Sequence, residues 1–357
     1  MELIKSELIK PELLNSKLLN SKLPKSELQE PKSLKPNLLE SLRLRRQQNP
    51  LKLKPDAKGK GGSRRGYNFF RFGFFIMLAL NLIGLYINYD YWVFKMLISQ
   101  HYIFTDTLDT LYANALGEEN LRGHFRDFDR MVMAVVTERI REINQDWFTY
   151  LYSPRQFQAA RAQERSDARR VRYEALTENV MYLYIPNIHR YSRRFVQANR
   201  TEIATLPNLI LDLRGNYGGM LLDFHHIANL FLGQGDSIGY ERTRWPIFTN
   251  HITGRNEPYF NFDQIIILQN QNTASAAEGL ILALRENLPN VTIIGDTSFG
   301  KAVGQVSVPL TGGSAIRASV LLVEGPEGQS IHKVGIEPDI VYTGDQLEFA
   351  LELLVSL

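Results

Sequence analysis

The 357-residue chain contains no cysteine. That excludes a disulfide framework and any thiolate metal site, and it leaves the redox compartment open, since a cysteine-free protein tolerates oxidising surroundings without requiring them. Aromatic residues are absent before Tyr67, although they make up 11% of the whole. Residues 1–66 therefore lack the large apolar side chains of a packed core. A dominant charge sign is also missing overall, with 41 Lys+Arg against 38 Asp+Glu and a net charge of +3. The balance hides an asymmetry: residues 1–66 carry 16 basic and 7 acidic side chains, a surplus of 9, and the remainder carries 25 and 31, a deficit of 6. Ser-Glu-Leu and Ser-Lys-Leu triplets recur at Ser6, Ser16, Ser21 and Ser26, and Pro11, Pro24, Pro31 and Pro36 rule out one long helix. The segment reads as a low-complexity, disordered basic tail. Binding of nucleic acid or anionic lipid is the less favoured reading, and nucleic acid is not expected as a partner.

Long hydrophobic runs are scarce, with one exception at residues 72–87, interrupted by Gly73, Asn81 and Gly84. Phe69, Phe70, Tyr89, Tyr91 and Trp92 flank it as candidate interfacial aromatics, and the stretch reaches the about twenty residues needed to cross a bilayer. Residues 67–92 are thus expected to form a transmembrane anchor. Arg64, Arg65 and Arg71 precede the run and Asp90 follows it, which puts the N-terminus in the cytoplasm and the rest, as a single-pass cell-membrane protein, outside.

Beyond the anchor the periodicity changes. Leu108, Leu111, Leu116, Phe128, Met131, Val132, Val135 and Val136 recur at helical spacing, so residues 103–151 are expected to be helical and residues 100–172 to form a helical cap ending in a charged connector from Ala159 to Arg172. Residues 173–357 then alternate strand and helix. Strands are expected at residues 180–185, 209–213, 265–268 and 291–294, helices at residues 220–232 and 276–288, and further strands at residues 305–310 and 315–323. Such alternation predicts an α/β fold with an open parallel sheet and crossover helices.

Within that frame two turns carry chemistry. Ser275 follows the strand Gln264-Ile265-Ile266-Ile267-Leu268-Gln269 and precedes a helix, and Lys301 follows Val291-Thr292-Ile293-Ile294-Gly295 across a glycine turn. Parallel pairing of these strands would bring the turns together. A serine hydroxyl is a weak nucleophile until a base takes its proton, and a lysine serves as that base when desolvation makes it neutral. Gly295-Asp296-Thr297-Ser298-Phe299-Gly300-Lys301 also satisfies the first part of a phosphate-binding loop, but Ala302 removes the required hydroxyl and a strand, not a helix, follows. His225 and His226 are adjacent and poorly placed to share a metal. Glu278, one turn after Ser275, is read as a helix-start carboxylate first and a catalytic partner second.

Asn272-Thr273-Ala274-Ser275-Ala276-Ala277-Glu278 and Phe299-Gly300-Lys301 resemble the nucleophile and base elements of the tail-specific, C-terminal-processing serine proteases. Leu211-Asp212-Leu213-Arg214-Gly215-Asn216-Tyr217-Gly218-Gly219, Val334-Gly335-Ile336-Glu337-Pro338-Asp339 and Asp146-Trp147-Phe148-Thr149-Tyr150-Leu151-Tyr152-Ser153-Pro154 are similar to further elements of that family. The resemblance implies a crotonase/ClpP-like core sheet, a Ser275 nucleophile, Lys301 as general base and Gln305 as the residue orienting the lysine. An oxyanion would be held by the Ala276 amide and one amide of the Gly218-Gly219 turn, with Gly218 the better family match. It further implies protein or peptide substrates, no metal and no cofactor, with the oligomeric state open. One family feature is missing, because the span from Pro154 to Val180 is too short for a PDZ domain. The competing reading is a non-enzymatic relative that binds peptide or another ligand in the same cleft.

Overall fold

Leu209-Ile210-Leu211, Ile265-Ile266-Ile267-Leu268 and Ile293-Ile294 are apolar at every position rather than every second one, the pattern of strands covered on both faces. The computed structural model describes residues 64–104, 130–245, 247 and 249–356. Its N-terminal elements are α1 (Arg64–Ile87), α2 (Tyr89–Met96) running into a π-turn at Leu97–His101, and α3 (Arg130–Asn144). Then come β1 (Tyr150–Tyr152), α4 (Pro154–Ala168), β2 (Arg172–Ala175), β3 (Val180–Tyr184), α5 (Arg190–Ala198), α6 (Arg200–Ile203) and β4 (Asn208–Asp212). The remainder is α7 (Leu221–Ala228), β5 (Ser237–Thr243), β6 (Asn250–Thr253), β7 (Gln264–Gln269), α8 (Ala276–Asn287), β8 (Val291–Gly295), β9 (Val303–Pro309), β10 (Ala315–Glu324), β11 (Ile340–Val341) and α9 (Gln346–Ser356). The chain divides into two units, one ending at Leu85 and the other beginning at Tyr86.

In the second unit the apolar runs form the centre of a six-stranded sheet in the order β11-β8-β7-β4-β3-β2. All its pairs are parallel except β2 with β3. Alternate side chains sort to two cores. Leu209, Leu211, Ile265, Ile267 and Ile293 meet Phe224 of α7 and Leu280 and Leu284 of α8 on one face, while Ile210, Ile266, Leu268 and Ile294 meet Ala350 and Leu354 of α9 on the other. Burial of each such side chain contributes about 1.5–3 kcal/mol. A second sheet is antiparallel, in the order β1-β10-β5-β6, with β9 also paired to β10. The sheets thus bear out a mixed α/β fold.

Three expectations need correcting. Among the described residues no helix is long and apolar enough to cross a membrane. The stretch expected as an anchor, residues 67–92, is split at Asn88 between α1 and α2. Tyr91, read as an interfacial aromatic, is instead buried with Val93, Phe94, Leu97 and Ile98. The helical pattern expected through residue 151 ends at Asn144, because Tyr150–Tyr152 pairs with residues 315–317 of β10. Most of the charged connector is helix α4, started by a capping box in which Ser153 accepts the Gln156 amide and the Gln156 side chain accepts the Ser153 amide. The basic tail lies outside the described residues apart from its last three, which start α1.

Candidate active site

The parallel register brings three turns together at the carboxyl edge of the six-stranded sheet. Asp212 of β4 lies beside Leu268 of β7, and Gln269 of β7 beside Gly295 of β8. The chain leaving each strand therefore enters a shared space, the usual position for a ligand site in such sheets. The turns are sewn to one another. Thr273 Oγ1 donates to the Leu213 carbonyl at 2.9 Å, the Ala274 amide donates to the Asn216 carbonyl at 2.8 Å, and the Phe299 amide donates to the Thr273 carbonyl at 2.9 Å. Asp212 anchors the first turn through two bonds to the Arg214 guanidinium, at 2.9 and 2.6 Å, and one from Tyr182 Oη at 2.8 Å.

Ser275 stands at the head of α8 with φ 59° and ψ −123°. A left-handed conformation costs a serine about 1–3 kcal/mol and persists only where its surroundings enforce it. Enforcement comes from Glu278, a fully buried carboxylate. Its Oε2 accepts the Ser275 amide at 2.7 Å and the Lys301 amide at 2.9 Å, while Oε1 accepts the Gly300 amide at 2.7 Å and Ser298 Oγ at 2.5 Å. Sequence reasoning undervalued this residue; its signal was the Ser-x-x-Glu spacing of a capping box, but the contacts to the second turn were not visible there.

Lys301 is brought in by Gly300, which has φ +84° and whose missing Cβ would lie 2.7 Å from the Gly335 amide nitrogen. The lysine pKa is pulled down from 10.5 to about 8, chiefly by burial and next by the Arg317 guanidinium, against the opposing pull of Glu278, Asp146 and Glu164. Its Nζ sits 4.9 Å from the centre of the Phe148 ring. Ser275, Lys301, Ala302, Gly279, Leu282, Val323, Glu324 and Ile331 line one cleft. Ser275 and Lys301 therefore share a site, although no hydrogen bond joins their side chains among the described residues. Arg317, Asp146 and Glu164, distant in sequence, were not anticipated as parts of it.

The remaining candidates divide. Gly218 presses on the serine: a Cβ there would lie 2.6 Å from the Ser275 Cβ and 2.7 Å from the Ala274 carbonyl oxygen. Its amide is already donated to Asn216 Oδ1 at 2.9 Å, whereas the Gly219 amide donates to no described residue. Ala276 is the first residue of α8, where backbone amides lack helical acceptors. Gln305 does not reach Lys301; its Nε2 donates to the Val303 carbonyl at 2.8 Å. His225 pairs instead with Glu241 at 3.2 Å.

A strained serine, a depressed lysine and the glycine turn beside them fall within one contiguous segment. Residues 179–342 match the model of Peptidase family S41. All of Ser275, Ala276, Lys301, Gln305, Gly218 and Gly219 lie within the S41 match. Among curated proteins, the chain is 35% identical over 144 residues to a carboxyl-terminal-processing protease of Synechocystis sp., covering 40% of this chain and 32% of that protein. It is 34% identical over 131 residues to the carboxy-terminal processing protease CtpA of Bacillus subtilis, covering 37% and 28%. The chain thus spans about a third of the length of these relatives. A solved lipoprotein from Streptococcus agalactiae superposes with a TM-score of 0.59 at 19% identity, covering 76% of this chain and 96% of that one, a likeness of fold.

Proposed function

We propose that this protein is a serine endopeptidase that cleaves protein or peptide substrates through Ser275 with Lys301 as general base. The observation that carries the reading is the convergence of Ser275 and a lysine with its pKa near 8 on one cleft, their backbones held by the single carboxylate of Glu278. Neutral Lys301 takes the Ser275 proton as Oγ bonds to the scissile carbonyl carbon. The amides of Ala276 and Gly219 receive the oxyanion. When the tetrahedral adduct collapses, the C–N bond breaks and the ammonium of Lys301 gives its proton to the leaving amine; water then hydrolyses the acyl-enzyme with Lys301 again as base. The curated relatives and the S41 match support a peptidase.

A ligand-binding scaffold is the second reading, favoured by the turn of Gln305 toward Val303 and by the absence of a direct Ser275–Lys301 hydrogen bond among the described residues. Catalytic hydrogen bonds often tighten only with substrate present, so this geometry is also that of an unoccupied peptidase. Incubation of the full chain and its Ser275→Ala variant with unfolded casein separates the two. Fragments from the parent chain alone support the peptidase, and no fragments from either supports the scaffold.

A further inference from the structure

β9 starts two residues after Lys301 and pairs with β10 alone, so its second edge faces no strand among the described residues. Ladder alternation identifies the groups on that edge. The Ala302 carbonyl accepts the Val323 amide at 2.8 Å and the Leu310 amide donates to the Ser314 carbonyl at 2.8 Å, so both point toward β10. Val303, Gln305, Ser307 and Pro309, at the alternate positions between them, present their backbone groups outward. Two contacts agree: the Val303 carbonyl is taken by the Gln305 side chain at 2.8 Å, and the Pro309 carbonyl by Tyr89 Oη at 3.3 Å. Proline at an outward position also leaves no amide unpaired. What protects this edge next to Lys301 is therefore a side chain folded back on its own strand.

We propose that the outer edge of β9 receives an extended peptide as an added strand, and that Gln305 is the gate. A peptide amide takes the Val303 carbonyl, which releases the Gln305 carboxamide to turn toward Lys301. Strand addition supplies main-chain hydrogen bonds that do not depend on side-chain sequence, and a chain laid here runs beside the Ser275 cleft. The proposal rests on the peptidase reading for its ligand. It also gives the present orientation of Gln305 a role, as the resting position of a residue displaced by substrate.

The test measures binding apart from turnover. A fluorescein-labelled peptide of alternating alanine and valine with lysine at each end is titrated by anisotropy into full-length Ser275→Ala protein. The titration is repeated with Ser307→Pro or Ser307→Ala added. Both added changes remove the hydroxyl that accepts Arg317 Nε at 2.9 Å, but only proline removes the outward amide. Ser307→Pro should weaken binding by at least about tenfold relative to Ser307→Ala. A series of peptides with one backbone N-methyl each needs no variant, and binding should fall at alternate positions. Equal binding by the two serine variants, or N-methyl effects without alternation, would overturn the proposal, as would a dimer of this chain that dissociates in Ser307→Pro. Binding with the alternating pattern but no cleavage by the parent chain would instead sink the peptidase reading and leave the added strand standing.

Discussion

Glu278 accepts the Lys301 amide at 2.9 Å with the same oxygen that accepts the Ser275 amide at 2.7 Å. One buried carboxylate thus ties together the proposed nucleophile and the proposed base, which lie on different turns. Glu278→Gln keeps the shape but turns either two amides or an amide and a hydroxyl toward a carboxamide NH2. Each donor left unpaired in a buried position costs about 1–3 kcal/mol. The variant should show a lower Tm and no cleavage, and normal activity in it would dismiss Glu278 as the element joining the two turns.

Lys301 links both activity and stability to pH, and both rise with it. Its ordinary value of 10.5 is lowered to about 8, first by burial and then by Arg317. The neutral form is the base, so kcat/KM should rise with pH to a plateau, with a midpoint of about 8. Between about 8 and 10.5 the unfolded chain holds more protons than the folded one, so stability rises across that window and the cost of burying the charge is fully present below it. Lys301→Met should be inactive yet more stable than the parent at neutral pH, by up to about 3 kcal/mol. Urea unfolding at neutral and alkaline pH checks this: the gap should close as pH rises through the window, and a less stable variant at neutral pH would contradict it.

Arg317 is the second cause of the lowered lysine pKa. Arg317→Met should therefore move the midpoint of the pH–rate profile upward and reduce the rate at neutral pH, while Arg317→Lys keeps the positive charge and much of the parent profile. An unchanged midpoint in Arg317→Met would remove the guanidinium from the account of the base.

Gly218 and Gly215 form a controlled comparison, since both have positive φ, at +94° and +72°, yet only at Gly218 would a Cβ strike Ser275, Gly215 having open space. Alanine at either position should lower the Tm through backbone strain of about 1 kcal/mol or more. Loss of cleavage should follow Gly218→Ala alone, and equal activity in the two variants would deny the contact a part in shaping the site.

The central parallel strands were legible because Ile265-Ile266-Ile267-Leu268 and its neighbours are apolar at every position, a signal that needs no partner to be read. The candidate residues Ser275 and Lys301 stood out for a related reason, each lying in the turn that follows such a strand. What escaped depended on distant pairing. β5, Ser237-Ile-Gly-Tyr-Glu-Arg-Thr, is only partly buried, and it becomes a strand through Leu321, Leu322, Val323 and Glu324 of β10. Glu278 read as a local cap because Ser298, Gly300 and Lys301 reach it only once β7 and β8 are paired. Tyr91 carries the same aromatic signal in a membrane interface and in a buried helix, and its burial decides for the latter.

The most direct test of the central claim is covalent capture of the nucleophile. The full chain is treated with a fluorophosphonate, an electrophile that traps activated serine hydroxyls, and the modified residue is located by mass spectrometry of the digested protein. The account predicts one adduct, on Ser275, forming faster as pH rises through about 8 and absent in Lys301→Met. No adduct, an adduct on another serine, or undiminished labelling of Ser275 without Lys301 would contradict it.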